Sequence, residues 1–71
     1  MTDHDRARAW RTRNRYTKRL LSEKTGFSVS SIDAFEAGKT RGGDPVDPRA
    51  FQRYRLCCAA INGGVDAFDW E

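Results

Sequence analysis

Histidine and cysteine are scarce in this 71-residue chain, and their scarcity argues against most catalytic and metal-binding functions. The single histidine is His4, close to the N-terminus, where a solvated side chain is the usual outcome. The two cysteines, Cys57 and Cys58, are adjacent, which is too close for an ordinary disulfide loop or for half of a CxxC metal site. We therefore expect reduced thiols, no metal, no cofactor and no enzymatic activity.

Long apolar segments are also missing. No run approaches the roughly 18 apolar residues of a membrane span, and no charged segment followed by an apolar one opens the chain. We expect a cytoplasmic protein with no membrane partner. A hydrophobic content of 38% allows one small domain with little apolar material to spare.

Acidic residues are few in the first third of the chain. Eight basic and three acidic residues lie between Met1 and Lys24, whereas the charged residues among the last ten are all acids. The whole chain carries a net charge of +3. A basic first half suits a surface that contacts phosphates, although an arginine-rich, solvated helix face has the same pattern.

Capping residues and glycines predict four helices, over residues 3–14, 18–25, 29–37 and 48–61. The first begins with a capping box formed by Thr2 and Asp5, and the fourth begins at Asp47-Pro48. Gly26 and Gly38 end the second and third helices, and we expect a Cβ at Gly26 to clash. Residues 39–47 are rich in glycine and charge and indicate a surface loop without regular structure.

The predicted fold is a compact all-α bundle of four short helices, with a fifth left open, that contains a helix-turn-helix at about residues 17–37. Residues 1–62 form the domain, and residues 63–71 form an acidic, aromatic tail. The large apolar residues of that tail are Val65, Phe68 and Trp70. They either wrap back over the small core or form the patch of a two-fold dimer.

Residues 10–39 carry a spaced motif. Its elements are Trp10-Arg11, Tyr16-Thr17, Leu21-Ser22, Gly26-Phe27-Ser28, Ile32 and Phe35-Glu36-Ala37-Gly38-Lys39. This string resembles the XRE (Cro/lambda-repressor-like) helix-turn-helix regulators, which pattern the region as an apolar residue and Arg, Leu-Ser, Leu-Ala, Gly-Val-Ser, Ile and Ile-Glu-x-Gly-Lys. The spacing from Arg11 to Gly38 matches without a gap.

The resemblance implies a double-stranded DNA partner and a homodimer that places the two third helices in successive major grooves, about 34 Å apart. It implies a structural ion pair between Arg11 and Glu36. The implied base contacts are Ser28, Val29, Ser30, Asp33 and Ala34. The implied phosphate contacts are Thr17, Lys18, Arg19, Lys39 and Arg41.

The third helix departs from the side chains best suited to read DNA. Its outward positions hold no Arg, Lys, Gln or Asn, and phosphates would repel Asp33 unless it accepts a hydrogen bond from a cytosine amine. Arg15 also stands where the family often has glycine. Two hypotheses follow. One is a DNA-binding transcriptional regulator, either a repressor or an activator. The other is a helix-turn-helix reused to bind a protein of the transcription machinery, as an antiactivator, an antitoxin-like protein or a phage accessory protein.

Overall fold

Four α-helices account for most of residues 1–64, the part of the chain that this computed structural model describes. They are α1 (Asp3–Arg13), α2 (Lys18–Thr25), α3 (Val29–Ala37) and α4 (Pro48–Asn62). The prediction of a small all-α bundle of four helices is confirmed, with each end within one residue of the expected position. The predictions for Val65, Phe68 and Trp70 lie outside the described residues. Within 1–64, no helix has the length and apolar character needed to cross a membrane.

Local hydrogen bonds explain where each helix begins. The Thr2 hydroxyl accepts from the Asp5 amide, and the Asp5 carboxylate accepts from the Thr2 amide at 3.1 Å, which completes the predicted capping box. The backbone bond from Thr2 also holds the pKa of the Asp5 carboxyl below its usual value. Thr17, Ser28 and Asp47 cap the next three helices with a side-chain oxygen.

The core joins the inner faces of α2, α3 and α4. Its buried members are Leu21, Ile32, Phe35, Phe51 and Tyr54. Ala7 and Trp10 of α1 cover this cluster and are partly buried themselves. Because Ile32 and Phe35 fix the inward side of α3, residues 30, 33, 34 and 37 face away from the core.

His4 is part of the packed structure, so the expectation of a solvated side chain was wrong. Its ring stacks on Phe51 with 4.4 Å between the ring centroids. Its Nδ1 atom lies 2.5 Å from the carbonyl oxygen of Phe35, which accepts the hydrogen bond. The ring therefore fastens the first turn of α1 to the end of α3, and a residue so near the terminus is ordered by these two contacts.

The two glycines that end α2 and α3 are required for different reasons. Both have a left-handed backbone, with φ of +80° at Gly26 and +81° at Gly38. A Cβ at Gly26 would meet nothing within 4 Å, so the predicted clash was wrong and the positive φ alone favours glycine there. A Cβ at Gly38 would lie 3.2 Å from the His4 ring, so at this position space is limiting as well.

The segment after α3 is more ordered than the sequence indicated. The Thr40 amide donates to the Asp44 carbonyl at 2.8 Å, and the Asp44 amide donates to the Thr40 hydroxyl at 3.1 Å. Lys39 and Pro45 form an isolated antiparallel bridge. The segment contains no helix or strand, as predicted, but the Thr40 hydroxyl and a left-handed Gly43 close it into a tight turn. We call residues 39–45 the basic turn.

Arg15 ends α1 in a conformation that favours glycine. Its φ is +60°, and it occupies the left-handed position of a Schellman motif. The Tyr16 amide donates to the Arg11 carbonyl, and the Arg15 amide donates to the Thr12 carbonyl. Tyr16 stacks on Trp10 at 5.5 Å between the ring centroids, which supplies the apolar contact that accompanies this motif.

Arg15→Gly should therefore stabilise the protein by about 0.5–1 kcal/mol, because it removes the strain of a side chain at positive φ. Thermal unfolding followed by far-UV circular dichroism would show this as a higher Tm. Arg15→Ala is the matched control, since it removes the charge but keeps the Cβ, and its Tm should not rise. An equal rise in both variants would assign the effect to the charge.

Candidate nucleic-acid interface

The outward side of α3 is a continuous stripe of small and polar residues. Ser30, Asp33, Ala34 and Ala37 follow one another at helical spacing on the side opposite the core. Val29, at the first position of the helix, is 40% exposed. Four of the five predicted base-contacting residues therefore lie on or beside this stripe.

The stripe and the basic turn enclose a shallow groove of about 380 Å³, which we call the α3 groove. Its lining residues are Ser30, Ser31, Asp33, Ala34, Ala37, Lys39, Thr40 and Arg41. The alanines form an apolar floor, while Lys39 and Arg41 stand exposed on the side of the basic turn. The structure thus brings three predicted base contacts and two predicted phosphate contacts to one surface.

Ser28, the fifth predicted base contact, is already engaged in capping α3. Its hydroxyl accepts from the Ser31 amide at 3.1 Å and donates to the Ser31 hydroxyl at 3.0 Å. A contact from this hydroxyl to a base would have to share or replace those bonds. Ser28 is thus placed to fix the start of the helix, and Ser30 follows it as a lining residue of the groove.

One residue predicted to contact a phosphate and one predicted to contact a base form an ion pair with each other. The Lys18 ammonium, expected on a phosphate, forms an ion pair with the Asp33 carboxylate, expected on a base. The two side chains remain 38% and 47% exposed, respectively. Neither side chain is therefore free in the unbound protein to make the contact predicted for it. No local sequence pattern indicated this pair, since its members are on different helices.

Thr17 and Arg19 lie at the start of α2 and do not line the α3 groove. The Thr17 hydroxyl accepts from the Leu20 amide at 3.0 Å and so caps α2. Arg19 reaches toward Glu23, with 3.9 Å between its Nε and the carboxylate, and its side chain is 89% exposed. Such an exposed pair holds Arg19 only weakly, so its guanidinium can reorient toward an approaching phosphate.

A second depression of about 370 Å³ adjoins the α3 groove and shares Asp33 and Ala37 with it. Its other lining residues are Arg8, Arg11, Lys18 and Glu36. Arg8 was not among the predicted contacts, although it precedes Arg11 by three residues and so shares a face of α1 with it. The basic surface of α1 therefore continues to the edge of the α3 groove.

The Arg11–Glu36 ion pair is present and is nearly buried. Arg11 Nε lies 2.6 Å from Glu36 Oε2, and Nη2 lies 3.0 Å from Oε1, so the pair is bidentate. The side chains are 14% and 6% exposed. The hydrogen bond to Glu36 raises the pKa of the Arg11 guanidinium. Arg11 Nη1 also donates to the Tyr16 carbonyl at 3.1 Å, so this one side chain joins α1, α3 and the connection to α2.

A cavity of about 300 Å³ between α1 and α4 forms a separate concave surface that shares no lining residue with the α3 groove. Tyr54 lines it, and its hydroxyl is buried without a hydrogen-bond partner among the described residues. Burial raises the pKa of the Tyr54 hydroxyl, and burial also raises the pKa of the neighbouring Cys58 thiol to about 11. Cys58 is therefore protonated at neutral pH and is a poor nucleophile.

Both cysteines are free thiols. Over residues 1–64, no three side chains of His, Cys, Asp or Glu come together in a way that could hold a metal ion. Comparison of the chain with protein-family models, with curated proteins and with solved structures found no match.

Proposed function

We propose that this protein is a DNA-binding transcriptional regulator that inserts α3 into the major groove of double-stranded DNA. The observation that carries the proposal is the α3 groove, where an outward helix face lies directly beside two exposed basic side chains, Lys39 and Arg41. A recognition helix flanked by phosphate-binding groups is the arrangement by which helix-turn-helix proteins dock on DNA. Such a regulator acts on the nucleoid in the cytoplasm.

The small side chains of α3 determine which base contacts the helix would make. Val29 and Ala34 offer methyl groups to the methyl of thymine, and the Ser30 hydroxyl bonds to several different bases. None of these residues makes the bidentate contacts that identify guanine or adenine. The helix approaches the base edges closely and discriminates between them weakly, so additional contacts must contribute to specificity.

Phosphate contacts supply most of the affinity in this proposal. Lys39 and Arg41 would hold the backbone beside the α3 groove, and Arg8 extends the basic surface along the adjoining depression. A homodimer would place two copies of α3 in successive major grooves about 34 Å apart, on an inverted repeat. Bound there, the protein would occlude or recruit polymerase.

A protein-binding regulator is the second candidate function, and the Lys18–Asp33 pair favours it. This pair places a carboxylate on the surface that would otherwise meet a polyanion. The alanine floor of the α3 groove would also accept a small apolar side chain of a protein partner. On this alternative, α3 contacts a component of the transcription machinery and not a base.

A fluorescent-duplex titration tests the proposal. The probe is the DNA upstream of the protein's own gene, beside a scrambled duplex, and the affinity should fall steeply between about 50 and 200 mM salt. Replacing Lys39 and Arg41 by alanine together should weaken binding to both duplexes. It should also reduce the slope of log K against log salt by about 2 for each DNA-bound subunit, since each lost phosphate contact contributes about 0.9.

Arg6→Ala combined with Arg55→Ala is the matched control, because it removes the same charge from exposed arginines that line the α1–α4 cavity. The control variant should keep the wild-type slope. Absence of binding to either duplex at low salt would contradict the proposal. Stoichiometric recovery of a single regulator in a pull-down would then support the protein-binding alternative.

A further inference from the structure

We propose that Asp33 is a specificity-determining residue that withholds Lys18 from phosphates unless the DNA offers a cytosine amine opposite Asp33. The inference rests on the proposed DNA-binding function. Its basis is the ion pair between Lys18 on α2 and Asp33 on α3, which joins the two helices of the helix-turn-helix on their outer side. Asp33 also lines both the α3 groove and the adjoining depression, so it occupies the boundary between the two.

The Lys18–Asp33 ion pair is not needed for the folding stability of the protein. Both side chains are substantially exposed, at 38% for Lys18 and 47% for Asp33, and ion pairs in such settings contribute little to folding. The nearly buried Arg11–Glu36 pair already fastens α3 to α1. The exposed carboxylate of Asp33 therefore has its main consequence for whatever approaches this surface.

DNA would have to replace the contact that Asp33 makes. When α3 enters the major groove, Lys18 exchanges the carboxylate for a phosphate, and Asp33 loses its counterion close to a polyanion. On an unsuitable sequence that exchange would leave the carboxylate unpaired and repelled by the phosphates, so Lys18 stays on Asp33 and its phosphate contact is not made. On a suitable sequence it accepts a hydrogen bond from the N4 amine of cytosine, the base donor that Asp and Glu recognise in the major groove.

The discrimination arises mainly from the penalty on incorrect sequences. Ser30, Val29 and Ala34 attract many sequences about equally, so they cannot reject incorrect ones. A carboxylate that must be satisfied rejects duplexes that lack the amine, which is specificity achieved by repulsion. Asp33 thereby supplies the selectivity that the small side chains of α3 do not.

Asp33→Asn tests the inference, with Asp3→Asn as a control of equal charge change at the α1–α4 cavity. Binding of wild type and both variants is measured on the upstream duplex and on a scrambled duplex at one salt concentration. Asp33→Asn should bind the scrambled duplex about tenfold more tightly, because it removes a repulsive charge and frees Lys18 for a phosphate. The preference for the upstream duplex should fall by a similar factor, while Asp3→Asn should change neither value more than about twofold.

Lys18→Ala, combined with each form of residue 33, separates release of Lys18 from loss of the negative charge. It should weaken scrambled-duplex binding more in the Asp33→Asn background than in the wild type, where Lys18 is already engaged. If Asp33→Asn leaves scrambled-duplex affinity unchanged, or weakens both duplexes alike, the inference is wrong while specific wild-type binding still supports the proposed function. If neither the wild type nor Asp33→Asn binds any duplex at low salt, the proposed function fails and the inference fails with it.

Discussion

Glu36→Ala should destabilise the protein by about 3–5 kcal/mol, which is comparable to the whole stability expected of so small a domain. Glu36 is the bidentate partner of Arg11, and the carboxylate side chain is only 6% exposed. The alanine variant would leave a guanidinium with two unpaired donors in a position where water reaches it poorly. Urea unfolding followed by far-UV circular dichroism would show a large fall in the midpoint, or a chain unfolded without denaturant.

Two controls separate the buried charge from other effects of the substitution. Glu23→Ala removes an exposed acid from the Arg19–Glu23 pair within α2 and should change the stability by no more than about 0.5 kcal/mol. Arg11→Met combined with Glu36→Leu removes both charges and should cost much less than Glu36→Ala alone, since no charge is left unpaired. A loss below about 1 kcal/mol for Glu36→Ala would contradict the role given to this pair.

Ala34→Glu should reduce the affinity for duplex DNA by about 100-fold or more. Ala34 is half-buried in the floor of the α3 groove, where the proposed complex leaves room for a methyl group only. Glutamate adds both bulk and a negative charge at the surface facing the phosphates, and like charges brought together at an interface cost several kcal/mol. The measurement is the same fluorescent-duplex titration, with the fold checked by circular dichroism.

Ala59→Glu is the matched control for this variant. It makes the same substitution at an exposed position of α4 that lines the α1–α4 cavity. Its duplex affinity should stay within about threefold of the wild type, since a single distant charge is largely screened by salt. Loss of binding in Ala59→Glu with normal binding in Ala34→Glu would indicate that DNA meets α4 and not α3.

Local chemistry explains why the helices could be predicted from the sequence. Each helix is capped by a side chain that accepts from a backbone amide two or three positions away, so the pattern that predicts the helix start spans only a few residues. The capping residues are Thr2, Thr17, Ser28 and Asp47. The ends of α2 and α3 could also be predicted from nearby residues, because a left-handed residue after a helix is usually glycine, as at Gly26 and Gly38. The Arg11–Glu36 pair spans 25 positions, and only the resemblance to a known pattern indicated it.

Contacts between distant residues explain what could not be predicted. The His4 ring forms a hydrogen bond with the carbonyl of Phe35, 31 positions away, and no residue near His4 in the sequence indicates that partner. The Lys18–Asp33 pair depends on how α2 and α3 are set against each other, and helical spacing within either helix does not encode it. In the basic turn, the hydrogen bond from the Asp44 amide to the Thr40 hydroxyl joins residues that are only four positions apart in the sequence. The glycine-rich composition of that segment nevertheless indicated an irregular loop.

A two-dimensional NMR titration of the ¹⁵N-labelled protein with the upstream duplex tests most directly whether α3 enters DNA. We predict that the largest amide shifts fall on residues 29–34 and on residues 39–41 of the basic turn, with little change along the α4 side of the α1–α4 cavity. The shifts at α3 should diminish as salt is raised, since phosphate contacts supply the affinity. Shifts concentrated on α4, or a spectrum unchanged by DNA at low salt, would contradict the account.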